Sequence, residues 1–115
     1  MTDFIKHNTV REEYRELHPS VFAELDDWRD SIRSFCERVQ TTLGVKISYQ
    51  PFADINLLYD PSIPPDAYIL DSTQGVIIRA YSEKAVRSAL STLLKLLRSE
   101  NGMLQIQGLI IEKRL

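Results

Sequence analysis

The segment from Ala67 to Arg98 constrains the fold more than any other part of the chain. It contains two runs, AYILD and GVIIRAY, in which apolar and polar residues alternate on either side of the turn-forming sequence STQG. Alternation on both sides of such a turn predicts a β-hairpin. Ser82 can then cap a helix over about 83–98, because apolar residues recur every three or four positions behind it. We therefore expect a sheet combined with at least one long amphipathic helix.

The N-terminal part of the chain carries two further helix patterns. Thr9 and Glu12 have the spacing of a capping box, which predicts a short helix over about Val10 to Leu17. From Ser20 to Leu43 apolar residues recur with the helical period, which predicts a long helix that Gly44 can end in the left-handed conformation. We therefore expect two helices before the first strand.

The remaining segments predict strands and loops. VKISYQ, INLLYD and MLQIQGLIIEKRL alternate like half-buried strands, and Gly108 in the last of them predicts a bulge or a close backbone approach. The proline-rich PSIPPD predicts a surface loop, and Asn101 with Gly102 predicts the end of the second long helix. The whole pattern predicts an α+β fold, in which two long helices pack on a mixed β-sheet of about four to five strands. Residues 1–20 are expected to form an N-terminal extension and residues 21–115 a single domain.

Composition argues against several classes of partner. The 115 residues suit one domain, and 14 Lys and Arg against 16 Asp and Glu leave a net charge of -2. That charge gives no general attraction for phosphate backbones, so no nucleic acid partner is expected. No apolar run is long enough for a membrane span, so no membrane partner is expected. The N terminus is too charged for a signal peptide, which favours a cytoplasmic location.

The chain shows no complete set of residues for catalysis. The common zinc, mononucleotide, dinucleotide and redox motifs are missing, so neither a metal nor a cofactor is expected. His7 and His18 stand apart from any cluster of ligands and are predicted to be surface residues. Cys36 lies beside an aromatic residue in a predicted helix, which favours packing over nucleophilic chemistry. Aromatic residues at strand and helix spacing are expected in the core or half-buried in the sheet instead of forming a stacking platform; they are Trp28, Tyr49, Tyr59, Tyr68 and Tyr81.

Residues 55 to 115 resemble a known domain. AYILDSTQGVIIRAYSEKAVRSALSTLLKLL, followed by an apolar strand and IIEKRL, is similar to the small N-terminal domain that precedes the catalytic barrel in glycoside hydrolase family 20 (GH20), the β-N-acetylhexosaminidases. The residues that match the family pattern are Ala67, Tyr68, Leu70, Gly75, Val76, Ile78, Ala80, Ala89, Leu90, Thr92, Leu93, Leu96, Leu97, Ile111, Arg114 and Leu115. The chain departs from that pattern near Ala85, where the family has Gly, at Lys95, where it has Gln, and at Glu112, where it has Asp. The proline that the family has before the position of Arg114 is also missing.

The resemblance implies a mixed sheet with helices on one side and a catalytic barrel that begins just after Leu115. In the family the catalytic Asp–Glu pair lies in that barrel, where the Glu is the general acid and the Asp steadies the substrate acetamido group, which is the nucleophile. The resemblance therefore carries no catalytic residue over to this chain. It implies a noncatalytic accessory domain of an enzyme of carbohydrate metabolism, whose candidate contacts with the barrel are Thr92, Leu93, Leu96 and Arg114.

Two other readings remain open. The chain could be a free-standing α/β interaction module, homodimeric through an apolar face of its sheet or helix. The helix at 83–98 has apolar residues on more than one side, which fits either a face that awaits a partner or a helix pressed between the sheet and the other long helix. A nucleic-acid-binding α+β domain is a third reading, and the net charge and the lack of an aromatic RNA-binding strand motif argue against it.

Overall fold

Eight strands and two α-helices form the part of the chain that the computed structural model describes, which is residues 4–115 for the backbone and residues 13–115 for the side chains. The elements in chain order are β1 (Phe4–Leu17), β2 (Ser20–Ala23), α1 (Arg29–Leu43), β3 (Ser48–Tyr49), β4 (Ile55–Tyr59), β5 (Ala67–Asp71), β6 (Val76–Ala80), α2 (Glu83–Leu96), β7 (Arg98–Glu100) and β8 (Met103–Arg114). A short 3-10 helix, Asp26–Trp28, leads into α1. The predicted α+β class is confirmed.

All the strands belong to one mixed sheet, whose order is β1-β8-β5-β6-β4-β2-β3, with β7 paired to β8 outside this path. Strands β2, β4 and β6 are parallel neighbours, and β3 is parallel to β2. The pairs β5–β6, β5–β8, β1–β8 and β7–β8 are antiparallel. The sheet is mixed as predicted, and it is larger than the four to five strands expected from the sequence.

The two helices are both crossover connections between parallel strands. Helix α1 and then the two-residue edge strand β3 lie in the chain between β2 and its neighbour β4. Helix α2 and then β7 lie between β6 and β8, which have β5 between them in the sheet. Both connections advance in the same direction across the sheet. Because such crossovers are almost always right-handed, both helices are expected on the same face, and there they do pack against each other and against the sheet. We call this face the helix-covered face and the opposite one the open face.

The core lies between the helix-covered face and the two helices. In β6, Val76, Ile78 and Ala80 are wholly buried, whereas Ile77 is half-buried and Arg79 is exposed. Side chains alternate between the two faces along a strand, so the first three point at the helices and the other two lie on the open face. The largest side chain that is wholly buried is that of Tyr68 in β5.

The prediction of a short helix over Val10 to Leu17 is wrong, because these residues belong to β1. Strand β1 pairs along β8 from Phe4 to Leu17. A capping box stabilises a helix only locally, whereas β8 offers a long edge whose backbone groups need partners, and pairing with β1 satisfies them. The pairing is irregular on both sides of Gly108, as its position predicts, although the extra residues belong to β1.

The long helix predicted from Ser20 begins only at Arg29, because Ser20–Ala23 form β2 beside β4. Its C-terminal end is confirmed, since Gly44 has φ of 71° and its N–H donates to the carbonyl of Gln40. The second long helix also ends earlier than predicted, at Leu96. Asn101 and Gly102 do not stop this helix. They form the two-residue loop of a hairpin between β7 and β8, and both have positive φ.

The β5–β6 hairpin and the N-cap of α2 are confirmed. Strands β5 and β6 pair antiparallel around the segment 72–75. The Ser82 Oγ accepts a hydrogen bond from the Ala85 N–H at 3.1 Å, which satisfies one of the free N–H groups of the first turn, and donates to the Pro65 carbonyl at 2.5 Å. The start of α2 is therefore tied to the proline loop before β5.

Candidate docking surface

Three of the four predicted contact residues lie on α2, and they differ in burial. Leu93 is wholly buried in the core, so it faces the interior of this domain. Thr92 and Leu96 are half-buried, and they lie four residues apart on one side of the helix. The Thr92 hydroxyl forms a 2.6 Å hydrogen bond with the Tyr68 hydroxyl, which connects α2 to β5. Burial raises the pKa of Tyr68, and the hydrogen bond with Thr92 opposes that shift.

The fourth predicted contact residue, Arg114, lies away from the other three. It pairs with Ala67 at the end of β8, next to the Tyr68–Lys113 pair. Because Tyr68 points at the helices, Arg114 lies on the open face, where its guanidinium forms an exposed ion pair of 3.8 Å with Asp66. The four residues thus do not form one contiguous surface.

Two hydrogen bonds connect the helices directly. The Ser31 Oγ donates to the Glu83 carboxylate at 3.1 Å, and an Arg38 guanidinium N–H donates to the Ser91 Oγ at 3.3 Å. The first bond joins the start of α1 to the start of α2, and the second joins their middles. The helices are therefore parallel, as expected for crossovers that follow parallel strands.

A groove of about 200 Å³ lies between these two bonds on the outer side of the helix layer. We call it the interhelical groove; it is lined by Ser31, Ser34, Phe35, Arg38, Arg87, Leu90 and Ser91. Phe35 and Leu90 are buried, and Arg38 and Arg87 are exposed. The two arginines form no ion pair with a carboxylate among residues 13–115. The groove therefore combines an apolar floor, hydroxyl walls and two cationic groups.

The charge of the helix layer is opposite in sign to that of the whole chain. The two α-helices carry six Lys and Arg residues against three Asp and Glu residues, and the 3-10 helix adds Asp26 and Asp27, so the net charge of the layer is +1, whereas the chain has -2. No pattern in the sequence predicts the groove. Its only local signals are the spacing of Ser31, Ser34 and Arg38 on one side of α1 and the four-residue spacing of Arg87 and Ser91 on α2.

The open face of the sheet has a different character. Its apolar side chains are half-buried, because no helix covers them; they are Phe22, Leu58, Ile69, Ile77 and Ile110. Arg79 stands between Leu58 and Ile69 in the register, and Glu112 pairs with Ile69. Charged residues thus interrupt the apolar surface near its middle.

The other candidate chemical groups lie in ordinary structural settings. A cleft of about 600 Å³ between α1 and β3 contains Cys36, whose pKa is raised by burial and by Glu37, so the thiol stays protonated at neutral pH. The Arg29 guanidinium in this cleft stacks on the Tyr49 ring at 3.9 Å. His18 is exposed, and the His7 side chain is outside the described residues. No group of three or more metal-ligating residues occurs among residues 13–115.

The aromatic residues divide into buried and partly exposed ones. Trp28 and Tyr68 are in the core, as predicted for aromatic residues with this spacing. Tyr49, Tyr59 and Tyr81 are 36%, 37% and 41% exposed, so the prediction of core or half-buried positions is wrong for these three. The ring centroids of Tyr59 and Tyr81, at the ends of β4 and β6, are 5.7 Å apart. The two ring planes are tilted by 33° to each other. Neither helix in the described part of the chain is long and apolar enough to cross a membrane.

Several solved GH20 enzymes contain a region with this fold. The GH20 exo-β-N-acetylglucosaminidase from Vibrio harveyi matches 95% of this chain and 18% of its own, with a TM-score of 0.85 and 18% identity. The Streptomyces plicatus N-acetyl-β-hexosaminidase matches 93% of this chain and 24% of its own (TM-score 0.76, 16% identity). The β-N-acetylhexosaminidase from Bacteroides fragilis matches 93% of this chain and 23% of its own (TM-score 0.70, 16% identity).

This chain has the fold of one part of GH20 enzymes. The resemblance predicted from residues 55 to 115 is confirmed, and in the structure it extends over nearly the whole chain. The chain spans less than a quarter of each of these enzymes, as a partial domain would. At identities below 20% the likeness concerns the fold alone. No family model and no curated protein sequence matches the chain.

Proposed function

We propose that this chain is a noncatalytic accessory domain that packs on the catalytic barrel of a GH20-like β-N-acetylhexosaminidase. The observation that supports the proposal is the TM-score of 0.85 over 95% of this chain and only 18% of a GH20 enzyme. A domain that corresponds to 18% of such an enzyme accounts for only a small part of it, and the rest of the enzyme must be formed by other domains. Fold alone does not determine function, so the proposal also depends on the chemistry of the residues.

The chemical groups of the chain support a noncatalytic role. Glycosidase chemistry generally needs two carboxyl groups that flank one bond, or one carboxylic acid beside a substrate group that acts as nucleophile. Asp60 is a half-buried loop residue whose pKa is lowered by hydrogen bonds from Ser62, which suits a loop-stabilising carboxylate and not a general acid.

The contact with the barrel is proposed to involve α2. Leu96 is partly accessible and could pack on a neighbouring domain directly, whereas Leu93 would act by holding α2 in position. Thr92 would help in the same way, because its hydroxyl connects the helix to Tyr68. Arg114 is exposed and would meet the barrel only at the rim of such a contact.

The test begins with the parent gene beyond the codon for Leu115 and continues with two assays. We expect a barrel-encoding sequence there, hydrolysis of an aryl N-acetyl-glucosaminide by the parent protein and no hydrolysis by the chain itself. Turnover by the chain itself, or a gene without a barrel, contradicts the proposal.

A second candidate function is a free-standing interaction module that dimerises through the open face. The half-buried apolar residues of that face favour it, in particular Leu58, Ile69 and Ile77. Sedimentation velocity over a hundredfold concentration range distinguishes the two candidates. A stop codon after Leu115 with dimers that an Ile77→Glu substitution abolishes would support the module, and a monomer at all concentrations would exclude it.

A further inference from the structure

The tip of the β7–β8 hairpin is formed by two residues that can react with each other. Asn101 and Gly102 are both exposed, and their φ angles are 53° and 79°. We propose that Asn101 is a site of spontaneous covalent modification, at which deamidation releases β7 from the sheet. This inference stands apart from the proposed function, because it concerns only groups of this chain.

The reaction is an intramolecular attack followed by hydrolysis. The backbone nitrogen of Gly102 attacks the side-chain carbonyl carbon of Asn101 (Cγ), loses its proton and expels ammonia, which leaves a succinimide ring. Water then opens the ring at one of its two carbonyls. Opening at Cγ gives aspartate on a normal backbone, whereas opening at the main-chain carbonyl gives an isoaspartyl linkage, in which the chain continues through the side chain. Either product carries a negative charge that asparagine lacks.

The two reacting groups are free and accessible. Glycine has no side chain to crowd its nitrogen, and a Cβ placed on Gly102 would meet no other atom within 4 Å. Within residues 13–115, neither the side-chain amide of Asn101 nor the N–H of Gly102 forms a hydrogen bond. Water therefore has access to the ring that the attack forms.

Ring closure requires the hairpin to open first. A two-residue loop between paired strands fixes the backbone of both its residues, so Asn101 must rotate out of the turn before its Cγ meets the Gly102 nitrogen. Strand β7 has only three residues, Arg98–Glu100, and its two outer residues are exposed. Short exposed pairings open locally far more often than core strands do. The local stability of β7 therefore sets the rate of deamidation.

A few side-chain contacts hold β7 in place. The Arg98 guanidinium donates to the side-chain carbonyl of Gln105 at 2.9 Å and lies 3.5 Å from the centroid of the Tyr14 ring. The Ser99 Oγ donates to the carbonyl of Leu43, the last residue of α1, at 2.9 Å. Strand β7 is thus connected to β8, β1 and α1, and its release also frees the C-terminal end of α1.

The isoaspartyl product does not fit the closed hairpin. Its main chain runs through Cβ and Cγ and is longer than a normal residue, whereas a two-residue hairpin loop has a length and twist matched to its strands. The new carboxylate also lies near Glu100, and like charges repel each other. We therefore expect the modified hairpin to stay open, with the Arg98–Ser99 peptide bond accessible to a protease.

The first experiment incubates the chain below its unfolding temperature and follows each asparagine by peptide mapping with mass spectrometry. Asn101 should react at least about tenfold faster than Asn56, which lies in β4 with its side-chain amide bonded to the Ala53 carbonyl at 2.8 Å. Asn101→Gln should remove the reaction at this position, because the longer side chain would have to close a larger ring. Equal rates at Asn101 and Asn56 would contradict the proposal.

Variants of β7 separate local opening from a reaction that depends on sequence alone. Arg98→Ala and Ser99→Ala each remove contacts of β7 and should speed the reaction at Asn101 at least about threefold. Arg79→Ala, on the open face, should leave the rate unchanged. Circular dichroism of each variant verifies its fold. If both β7 variants react at the rate of the unsubstituted chain, local opening of β7 does not control the reaction and the proposal fails.

The second experiment tests the release of β7. The isoaspartyl form is separated by chromatography and digested briefly with trypsin, next to the unmodified chain and the Asn101→Asp variant, which has the same charge on a normal backbone. Trypsin should cleave after Arg98 at least about tenfold faster in the isoaspartyl form than in the other two. Equal cleavage in all three would overturn the release of β7. So would an unreacted Asn101 in the folded chain after a time in which a peptide of residues 97–105 reacts completely.

Discussion

The helix-covered face and the open face of the sheet are built from the same strands, yet their side chains experience different surroundings. In β6, Ile78 points at the helices and is wholly buried, while its neighbour Ile77 is half-buried on the other side. The reason is topological, because both crossovers advance across the sheet in one direction and their right-handedness puts both helices on one face. One face therefore supplies the core and the other remains accessible.

The difference also determines which surface is suited to a specific partner. The helix layer has two exposed arginines beside a groove, whereas the open face has scattered apolar residues interrupted by Arg79 and Glu112. Charges on an exposed sheet surface also limit unwanted association between sheets.

The largest difference between the faces is expected for two adjacent isoleucines. Ile78→Ala should lower the free energy of unfolding by about 2–5 kcal/mol, because it removes a wholly buried side chain and leaves a cavity. Ile77→Ala, the matched substitution on the open face, should cost about 1 kcal/mol. Urea unfolding of both variants gives these values. Equal costs would mean that the open face is covered in solution.

The connection between α2 and the sheet is tested by the Tyr68–Thr92 hydrogen bond. Tyr68→Phe and Thr92→Val should each lower the free energy of unfolding by about 1–2 kcal/mol, because each leaves a partly buried hydroxyl without its partner. The double variant should cost less than the sum of the two. Tyr81→Phe is the control, since the Tyr81 hydroxyl makes no hydrogen bond within the described residues. Strict additivity would show that the two hydroxyls are not coupled.

The helix layer also depends on the N-cap of α2. Ser82→Ala should lower the free energy of unfolding by about 1 kcal/mol, because the Ala85 N–H loses its acceptor. Ser88→Ala, within the same helix, should be neutral or slightly stabilising because alanine has the higher helix propensity. Thermal unfolding followed by circular dichroism measures both. A larger loss for Ser88→Ala would contradict the capping role of Ser82.

The smallest effect is expected at the rim of the open face. In the isolated chain Arg114→Ala should change the free energy of unfolding by less than about 0.5 kcal/mol, because its ion pair with Asp66 is exposed to solvent. The same substitution in the parent protein then reports only on contacts outside this domain. A loss of more than about 1 kcal/mol in the isolated chain would show that the end of β8 is less exposed than the structure indicates.

The parts of the fold that the sequence predicted are those with local causes. The Ser82 cap, the Gly44 cap and the β5–β6 hairpin depend on residues close together in the chain, and all three are confirmed. Strands β1 and β2 were mistaken for helix because their partners lie far away in sequence, in β8 and β4. A local helical period could not reveal those partners. The Asn101–Gly102 pair was itself a hairpin signal, and it was interpreted as a helix stop.

The candidate docking surface was harder to predict for the same reason. Thr92, Leu93 and Leu96 were assigned to α2 correctly, but their burial depends on which side of the helix meets the sheet. The interhelical groove exists only because α1 and α2 are parallel neighbours, with Arg38 beside Ser91. No short motif encodes that arrangement, which follows from the order of strands in the sheet.

The most direct test of the central claim compares maleimide labelling of two single cysteines in the isolated chain and in the parent protein. Both variants carry Cys36→Ala, and the reporters are Ser34→Cys in the interhelical groove and Arg79→Cys on the open face. We predict that maleimide labels the cysteine of Ser34→Cys at least about tenfold more slowly in the parent protein than in the isolated chain, because a docked domain excludes the reagent. The cysteine of Arg79→Cys should be labelled at the same rate in both proteins. Protection of Arg79→Cys with free labelling of Ser34→Cys would contradict the account.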